Sequence, residues 1–362
     1  MLMDAFKDSD VGIKLRYQLD EKRFNLKRLQ AKTKTRIESI RDFLFADGCA
    51  LIVSTEADMQ HSVNLFSVAC TNFGLTISTK KTEVLHQPIS SSDQNKPSIS
   101  VNGQKLSNVN RFTYLGSTLS QEVHIDDEIN TRIARASSSF GRLQTTVWNR
   151  RGIKPLTKIK VYTAAILPIL LYACETWTVY SRHEKRLNHF HMTCLRKILK
   201  IKWQDRIPDT EVLQQTNMPS IFTLLRKAQL RWAGHVVRMS EERLPKKIFF
   251  GEFAGGKRSQ GGQKKRYKDT LKATMKNFAI DHENWESLAV DRAVWRASTY
   301  DGAIAYESKR HNAAIDKRQR RKAGTINSAF SNQVPHPCPH CGRVFRAQIC
   351  LISQLKTHNQ HT

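Results

Sequence analysis

One acidic residue stands between two short apolar runs near the start of the chain, in residues 41–53, RDFLFADGCALIV. The runs FLF and CALIV have the composition of buried strands, and Asp47-Gly48 between them is a strong two-residue signal for a β-hairpin. A carboxylate held at a hairpin tip suits Mg²⁺, which prefers hard oxygen ligands in fixed geometry. A two-metal site for phosphoryl transfer needs several carboxylates, however, and this hairpin supplies only Asp47. The alternative is a plain hairpin turn that binds no metal.

A second group of reactive side chains lies near the C-terminus, in the stretch CPHCGRVFRAQICLISQLKTHNQHT. The pair Cys338 and Cys341 has the CxxC spacing of the hairpin in a ββα zinc finger. Phe345 and Leu351 stand where the two apolar residues of the small finger core belong. The same motif expects its first histidine at position 354, where this chain has glutamine.

The zinc ligands of this module have three interpretations. Cys338, Cys341 and His358 could hold the metal together with a water molecule, which gives a weaker and more open site. His361 could replace the missing histidine, but one helical turn moves a ligand by about 6 Å, far more than a Zn–N bond of about 2.0–2.1 Å tolerates. The third interpretation is that no zinc binds. Because so small a domain depends on its metal to fold, we expect zinc binding here to be weak or absent.

A third stretch, residues 254–268, combines glycines with basic side chains and contains no acid. Glycine lets a backbone approach a polyanion closely, and Lys or Arg displaces the counterions of phosphate groups. The predicted phosphate contacts are Lys257, Arg258, Lys264, Lys265, Arg266 and Lys268. A solvated loop without a ligand is the alternative. Further on, KRQRRK at residues 317–322 resembles a nuclear-localisation patch.

Hydrophobic periodicity indicates the elements that would position these groups. Residues 56–74 have an apolar face at helical spacing and predict a helix that ends at Gly74. Residues 75–88 alternate as a strand, and Asn102-Gly103 predicts a hairpin. From about residue 121 to 320 the pattern is helical.

Two apolar features of this helical part are expected in its core. The apolar run at residues 161–174 contains Pro168 and is too short to cross a bilayer, so a buried helix is the better interpretation. The tryptophans in helical patterns are expected to be core residues rather than stacking platforms: Trp177, Trp203, Trp232, Trp285 and Trp295.

The composition indicates a polyanionic partner. The 362 residues include 59 Lys and Arg against 32 Asp and Glu, which gives a formal charge of +27. This excess points to nucleic acid, with an anionic membrane surface as the weaker alternative. The N-terminus has early acids and no apolar core, unlike a signal peptide. Seven scattered cysteines indicate a reducing compartment without structural disulfides.

In chain order, these motifs resemble the reverse transcriptases of LINE-type, non-LTR retrotransposons. FLFADG is similar to the family's palm hairpin, GLTIS with KKTE (residues 74–83) to the strand and lysine after it, and FTYLGSTLS (residues 112–120) to the primer-grip hairpin. LLYACETW, LRWAGHVVRM and GKRSQGGQKKRYKD resemble the thumb and its C-terminal extension. CPHCGRVF resembles the terminal zinc finger of some members.

The resemblance assigns roles to four residues of the palm-like part. It implies that Asp47 is a catalytic Mg²⁺ ligand and that Lys81 donates a proton to the leaving pyrophosphate. It implies that Tyr114 and Gly116 contact nucleic acid. From the residues alone, Lys81 is as well explained as a solvated lysine at a strand end, and Tyr114 as a half-buried strand residue.

The departures from the family pattern predict a loss of catalysis. The family has two adjacent aspartates at the hairpin tip, whereas Asp47 is followed here by Gly48. The third metal carboxylate and the fingers belong to segments expected upstream of Met1. We therefore expect an N-terminally truncated polymerase that is inactive alone, because stabilising the charge of the transferring phosphate is the main catalytic contribution.

The predicted fold class is α+β, with a partial palm of antiparallel hairpins plus a helix, a mostly helical thumb and extension, and a small ββα module. The predicted regions are a palm at 1–120, a thumb at 121–240, a basic extension at 241–325, a linker at 326–337 and a degenerate C2H2 finger at 338–362.

The predicted function is nonspecific RNA and DNA binding by a retrotransposon-derived RNA-directed DNA polymerase. The alternatives are a nuclear nucleic-acid-binding, zinc-finger-like protein without a polymerase role, and a translated pseudogene. The expected cofactors are ancestral Mg²⁺ and weak or lost Zn²⁺. The expected partners are RNA, DNA and the missing N-terminal part of the same element, with no membrane. The expected location is nuclear or cytoplasmic, not secreted.

Overall fold

The structure is a computed structural model that divides into two compact units, Met1–Glu307 and Ser308–Thr362. It describes residue 6 and residues 11–18, 35–46, 48–88, 96–255, 264–330, 336–345 and 348–358, with the backbone alone at 324–330.

The strands of the first unit lie almost entirely before residue 121. They are β1 Ile13–Gln18, β2 Thr35–Ile40, β3 Asp42–Phe45, β4 Gly48–Leu51, β5 Glu83–Leu85, β6 Ser100–Val101, β7 Gln104–Lys105, β8 Ser107–Val109, β9 Arg111–Tyr114, β10 Ser117–Ser120 and β11 Glu252–Phe253. Within the described residues, β11, β1 and β2 form one sheet, and the pairs β3–β4, β6–β7 and β9–β10 are antiparallel ribbons, while β5–β8 is parallel. The mixture of helices and strands agrees with the predicted α+β class. That the strands before residue 121 form a palm stays a prediction.

Two hairpins form between residues 100 and 120, one predicted by Asn102-Gly103 and one implied by the resemblance at residues 112–120. Asn102 and Gly103 join β6 to β7 with φ of +49° and +79°, and Leu115 and Gly116 join β9 to β10 with φ of +48° and +82°. Positive φ at both central residues is typical of a type I′ turn, whose twist matches that of the flanking strands. Both hairpins are therefore confirmed.

The first helix also agrees with its sequence pattern, but the strand expected after it is much shorter. Helix α1 Glu56–Asn72 begins after Thr55, whose side chain accepts from the backbone N–H of Asp58. It ends before Gly74 at a φ of +69°, where Leu75 N–H donates to Cys70 C=O. The backbone N–H groups of Lys81 and Thr82 then donate to the carbonyl of Ser78, which forms turns instead of strand pairing. The strand predicted over 75–88 is therefore limited to β5.

The helices that follow confirm the helical texture predicted after residue 121. They are α2 Asp126–Arg142, α3 Pro155–Val161, α4 Leu167–Leu170, α5 Ser181–Leu199, α6 Asp209–Thr216, α7 Ile221–Val237, α8 Leu244–Phe250, α9 Tyr267–Asn277, α10 Trp285–Val290 and α11 Arg292–Phe330. Because α11 reaches Phe330, the first residues of the expected linker at 326–337 are helical. Among the described helices, none combines the length and the apolar character needed to cross a bilayer.

The helical part contains two apolar cores. The first lies mainly between α2, α3, α5 and α7 and includes Tyr162, Leu187 and Leu195, which are fully buried. The second lies around Trp285, where α7, α8, α9 and α11 meet. A π-helical turn at Tyr162–Ile166 joins α3 to α4, so Pro168 falls in the first turn of a new helix, where its missing N–H is tolerated. The predicted helix over 161–174 is present as far as Leu170, but it is buried on one face only, since Thr163, Ala164 and Pro168 are exposed.

One tryptophan contradicts the prediction for that residue type. Trp177, Trp285 and Trp295 are buried and Trp232 is half-buried, but Trp203 is 85% exposed. Trp203 lies on the connection between α5 and α6, outside any amphipathic helix. The helical pattern around it was therefore misleading.

The second unit contains a small ββα arrangement. Strands β12 His336–Pro337 and β13 Val344–Phe345 pair antiparallel, with His336 opposite Phe345, and are followed by α12 Gln348–His358. This order of elements is the one that the CxxC spacing indicates.

Candidate nucleic-acid interface and metal centre

The β3–β4 hairpin forms where Asp-Gly predicts it, with Phe45 opposite Gly48. Asp47, the predicted catalytic residue, lies outside the described residues. The strands below the tip are less buried than expected, since Leu44 is 50% and Phe45 63% exposed. The prediction of a hairpin buried on both arms is therefore wrong for β3, where Leu44 and Phe45 are exposed and Phe43 is only half-buried.

The β9–β10 hairpin contacts the β3–β4 hairpin through Tyr114. The Tyr114 hydroxyl donates a hydrogen bond of 3.0 Å to the main-chain carbonyl of Phe43. A Cβ atom placed on Gly48 would lie 4.0 Å from the Tyr114 ring, so the tyrosine borders the hairpin tip. Partial burial, with a smaller effect of Cys49, raises the pKa of Tyr114. Two segments that the sequence matches to different motifs thus meet at this side chain.

Gly116 is fixed by a charged cluster on α2 that the sequence reasoning missed. Its carbonyl accepts from Arg132, whose guanidinium also forms a buried 2.6 Å ion pair with Glu128. Glu128 in turn accepts from the backbone N–H of Thr118 at 2.7 Å. The Arg132 guanidinium also lies 4.4 Å from the ring centre of Tyr172. Glu128 and Arg132 stand four residues apart on one helical face, which was the available signal.

Lys81 lies in a turn before β5 and is exposed. Its backbone N–H donates to the carbonyl of Ser78 at 3.0 Å, and within the described part of the chain its ammonium has no ion-pair partner. Among the described residues, no hydrogen bond or ion pair joins the Lys81 side chain to Tyr114 or to the β3–β4 hairpin.

Only part of the basic stretch at 254–268 is described, because Lys257 and Arg258 lie outside the described residues. Lys264 and Lys265 are exposed, and Lys265 places its ammonium 5.3 Å from the ring centre of Tyr180. Arg266 is half-buried and pairs with Glu252. Of these three, Lys264 and Lys265 present the cations that are most available to a phosphate.

Lys268 is buried, and its position does not support the predicted phosphate contact. Its ammonium donates to the carbonyls of Phe250 at 2.8 Å and Gly251 at 2.9 Å, where α8 ends. Burial lowers the pKa of Lys268 to about 8. The Lys268 side chain thus caps the C-terminal end of α8. The glycine-rich sequence of the neighbouring loop gave no indication of this role.

The ββα module brings three of its four predicted zinc ligands together. Ligand atoms of Cys338, Cys341 and His358 lie within 4.8 Å of one another. A turn closed by Gly342 N–H to Cys338 C=O at 2.9 Å holds the first cysteine. His361 lies outside the described residues. Two thiolates and an imidazole are suitable donors for zinc, and three ligands leave one position of a tetrahedral ion open.

Gln354 occupies the place of the missing histidine, as the spacing indicates. Its side-chain nitrogen lies 3.3 Å from Nε2 of His358, one helical turn further on α12. An amide is a poor zinc ligand compared with imidazole, so Gln354 does not complete the donor set.

Comparisons with known proteins were consistent with a mobile-element origin. An uncharacterised transposon-derived protein of Caenorhabditis elegans is 24% identical over 268 residues, which are 72% of this chain and 95% of that protein. The RNA-directed DNA polymerase from mobile element jockey of Drosophila funebris is 24% identical over 116 residues, which are 32% of this chain and 13% of that polymerase. No protein-family model matches the chain, and no solved structure matches it. The two relatives support a retrotransposon-related origin for this protein.

Proposed function

We propose that this protein derives from the reverse transcriptase of a LINE-type retrotransposon, binds RNA and DNA without strong sequence preference, and does not join nucleotides by itself. The relative from mobile element jockey is an RNA-directed DNA polymerase, which supports the ancestry. The formal charge of +27 supports a polyanionic partner.

The observation that carries the proposal is the contact between the two hairpins. In the proposed ancestry, β3–β4 is the catalytic hairpin and β9–β10 is the primer grip, and these must lie side by side for a primer end to reach the metal ions. The 3.0 Å hydrogen bond from the Tyr114 hydroxyl to the main-chain carbonyl of Phe43 supports such an arrangement. The Arg132 cluster then fixes β9–β10 to α2, so the pair rests on the helical part of the chain.

The proposed loss of catalysis rests on the number of carboxylates at the hairpin tip. Two Mg²⁺ ions that flank a transferring phosphate need several carboxylate ligands, and the tip has Asp47 followed by Gly48. One remaining acid cannot hold both ions, so the developing charge on the phosphate is left without its main stabilisation. Mg²⁺ is therefore an ancestral cofactor in this proposal.

The binding claim is tested with the full chain and a short fluorescent RNA, by anisotropy across salt concentrations of about 50 to 200 mM. Changing four basic residues to Gln should lower the salt slope by about 3, because each neutralised phosphate contributes about 0.7–0.9. The four residues are Lys257, Arg258, Lys264 and Lys265. An equal-charge control changes exposed cations of α9 and α11 instead: Lys276, Arg292, Arg296 and Lys309.

The parent chain should bind, and the control should change the slope less than the loop variant. Failure of the parent to bind any RNA or DNA would overturn the proposal and favour a translated pseudogene. An equal loss of slope in both variants would refute the role of the basic loop.

A second candidate function is zinc-dependent nucleic-acid binding by the ββα module, with a nuclear location supported by the exposed basic residues at 317–322. The proximity of Cys338, Cys341 and His358 favours it. In this case zinc added to the chelator-treated full chain should raise RNA affinity, and Cys338→Ser should abolish the effect. RNA affinity that ignores both changes would contradict the second candidate and leave the first intact.

A further inference from the structure

The connection between α5 and α6 presents an indole to solvent. Trp203 is 85% exposed and begins a short 3₁₀ turn, Trp203–Asp205. A side chain of this size is usually buried at least in part, because removing its apolar surface from water is favourable. Here the fold leaves nearly the whole indole uncovered.

The exposure of Trp203 follows from what its neighbours do. Ile201 and Ile207, two and four residues away, both pack against the first helical core. These two residues take the apolar positions on either side of the turn, so the segment between them must run over the surface. The indole is therefore directed outward by two anchors, and is not left exposed by a loose end.

Hydrogen bonds make the turn rigid. Ile201 N–H donates to the carbonyl of Arg196 at 2.9 Å where α5 ends, and Lys202 N–H donates to the Asp205 carboxylate at 2.7 Å. Arg196 fixes the far side of the connection, since its guanidinium donates to the carbonyl of Ile207 at 2.9 Å and to Asp209 at 2.6 Å. A ring held on such a turn loses little conformational entropy when a flat partner stacks on it.

The charges around the indole favour an anionic partner. Lys197, Lys200, Lys202 and Arg206 are exposed, and none of them forms an ion pair with a residue that the structure describes. Of the nearby acids, Asp205 closes the turn and Asp209 pairs with Arg196. The cations are therefore available to phosphate groups on either side of the ring.

A surface groove lies between α5, α6 and α7. It has a volume of about 390 Å³, and Arg196 and Asp209 form part of its lining. Lys185 and His189 on α5 line the same groove and are exposed. Arg196, which fixes the connection that carries Trp203, thus also belongs to a groove whose lining is partly cationic.

We infer that the Trp203 turn binds single-stranded RNA or DNA by stacking one unpaired base on the indole while Lys200, Lys202 and Arg206 contact the adjacent phosphates. Every base offers a face for stacking, so such a site tolerates any sequence, and the bases of a duplex are already stacked on one another. The inference rests on the proposed nucleic-acid binding and adds a preference for single strands.

The test compares binding of a fluorescent oligouridylate of about 16 nucleotides, and of a duplex of the same length, by the full chain. Base stacking on an aromatic ring corresponds to a loss of about five- to 140-fold in affinity when the ring is removed. Trp203→Ala should weaken single-strand binding by this amount and leave duplex binding unchanged. Trp203→Phe should recover part of the loss, and unfolding should be unaffected because the indole is exposed.

Phe73→Ala is the matched control, because Phe73 is 56% exposed and its neighbours in ACTNFGLTIS carry no charge. It should bind both ligands like the parent. If Trp203→Ala binds the single strand as tightly as the parent, the stacking site is refuted while nucleic-acid binding stands. If anionic lipid vesicles, and no nucleic acid, bind in a Trp203-dependent way, both the inference and the proposed function are wrong.

Discussion

A buried histidine in the first helical core should make the protein sensitive to mild acid. His191 on α5 is fully buried, and its Nδ1 lies 2.8 Å from the hydroxyl of Tyr162, while its Nε2 has no partner among the described residues. Burial lowers the pKa of His191 to about 4, against an ordinary value of 6.5, and only Asp209 opposes this shift. The imidazole is therefore neutral in the folded protein at pH 5.

The sign of the effect follows from which state binds the proton. Below pH 6.5 the unfolded chain protonates His191, whereas the folded chain does not until about pH 4, so stability is lost as the pH falls through this window. Between pH 7 and pH 5 the two pKa values give a loss of about 2 kcal/mol from this residue.

The assay is urea unfolding of the full chain at pH 7 and pH 5, followed by circular dichroism. His191→Asn cannot be protonated, so it should lose about 2 kcal/mol less than the parent between the two pH values, whatever truncation costs it at pH 7. Histidines elsewhere contribute equally to both proteins and cancel. Equal losses in the parent and in His191→Asn would refute the assignment of a neutral buried imidazole.

Three further changes test packing, helix propensity and a buried lysine in the helical part of the chain. Gly234→Ala should destabilise the protein by about 1–3 kcal/mol, because its methyl group would overlap the indole of Trp295, whose N–H donates to a main-chain carbonyl. Gly141→Ala should instead stabilise the protein by about 1 kcal/mol, because a Cβ on this helical glycine would have no other atom within 4 Å and alanine favours the helix. Urea unfolding of the two variants distinguishes the two glycines. Lys268→Met should destabilise by about 1–3 kcal/mol by leaving two buried carbonyls unpaired, yet should leave RNA affinity unchanged, which anisotropy measures.

The sequence predicts those features that local backbone chemistry decides. The positive φ values at Asn102-Gly103 and at Gly116 follow from the residues that tolerate them, and the start of α1 follows from a side-chain cap at Thr55. The CxxC pair with the apolar residues after it predicts the ββα order, and that order is observed. None of these features needs knowledge of distant contacts.

The features that sequence reasoning missed depend on distant contacts. Trp203 is exposed because Ile201 and Ile207 pack against the first core on both sides of it, and this packing cannot be inferred from local spacing. Lys268 is buried where its ammonium donates to the carbonyls of Phe250 and Gly251 at the end of α8, although its neighbours in sequence suggest a solvated loop. Likewise, only the fold shows that Arg132 fixes the turn at Gly116.

The most direct test of the proposed loss of polymerase activity is primer extension on an RNA template with Mg²⁺ by the purified chain. Gly48→Asp is the comparison, because a Cβ at Gly48 would lie 3.3 Å from its nearest neighbour, the carbonyl oxygen of Phe45, which would have to shift slightly to admit it. A gain of extension in this variant should depend on Mg²⁺ and disappear with Asp47→Asn. We predict no extension by the chain with Gly48 in place, and sustained extension by that unaltered chain would contradict the proposed loss of catalysis.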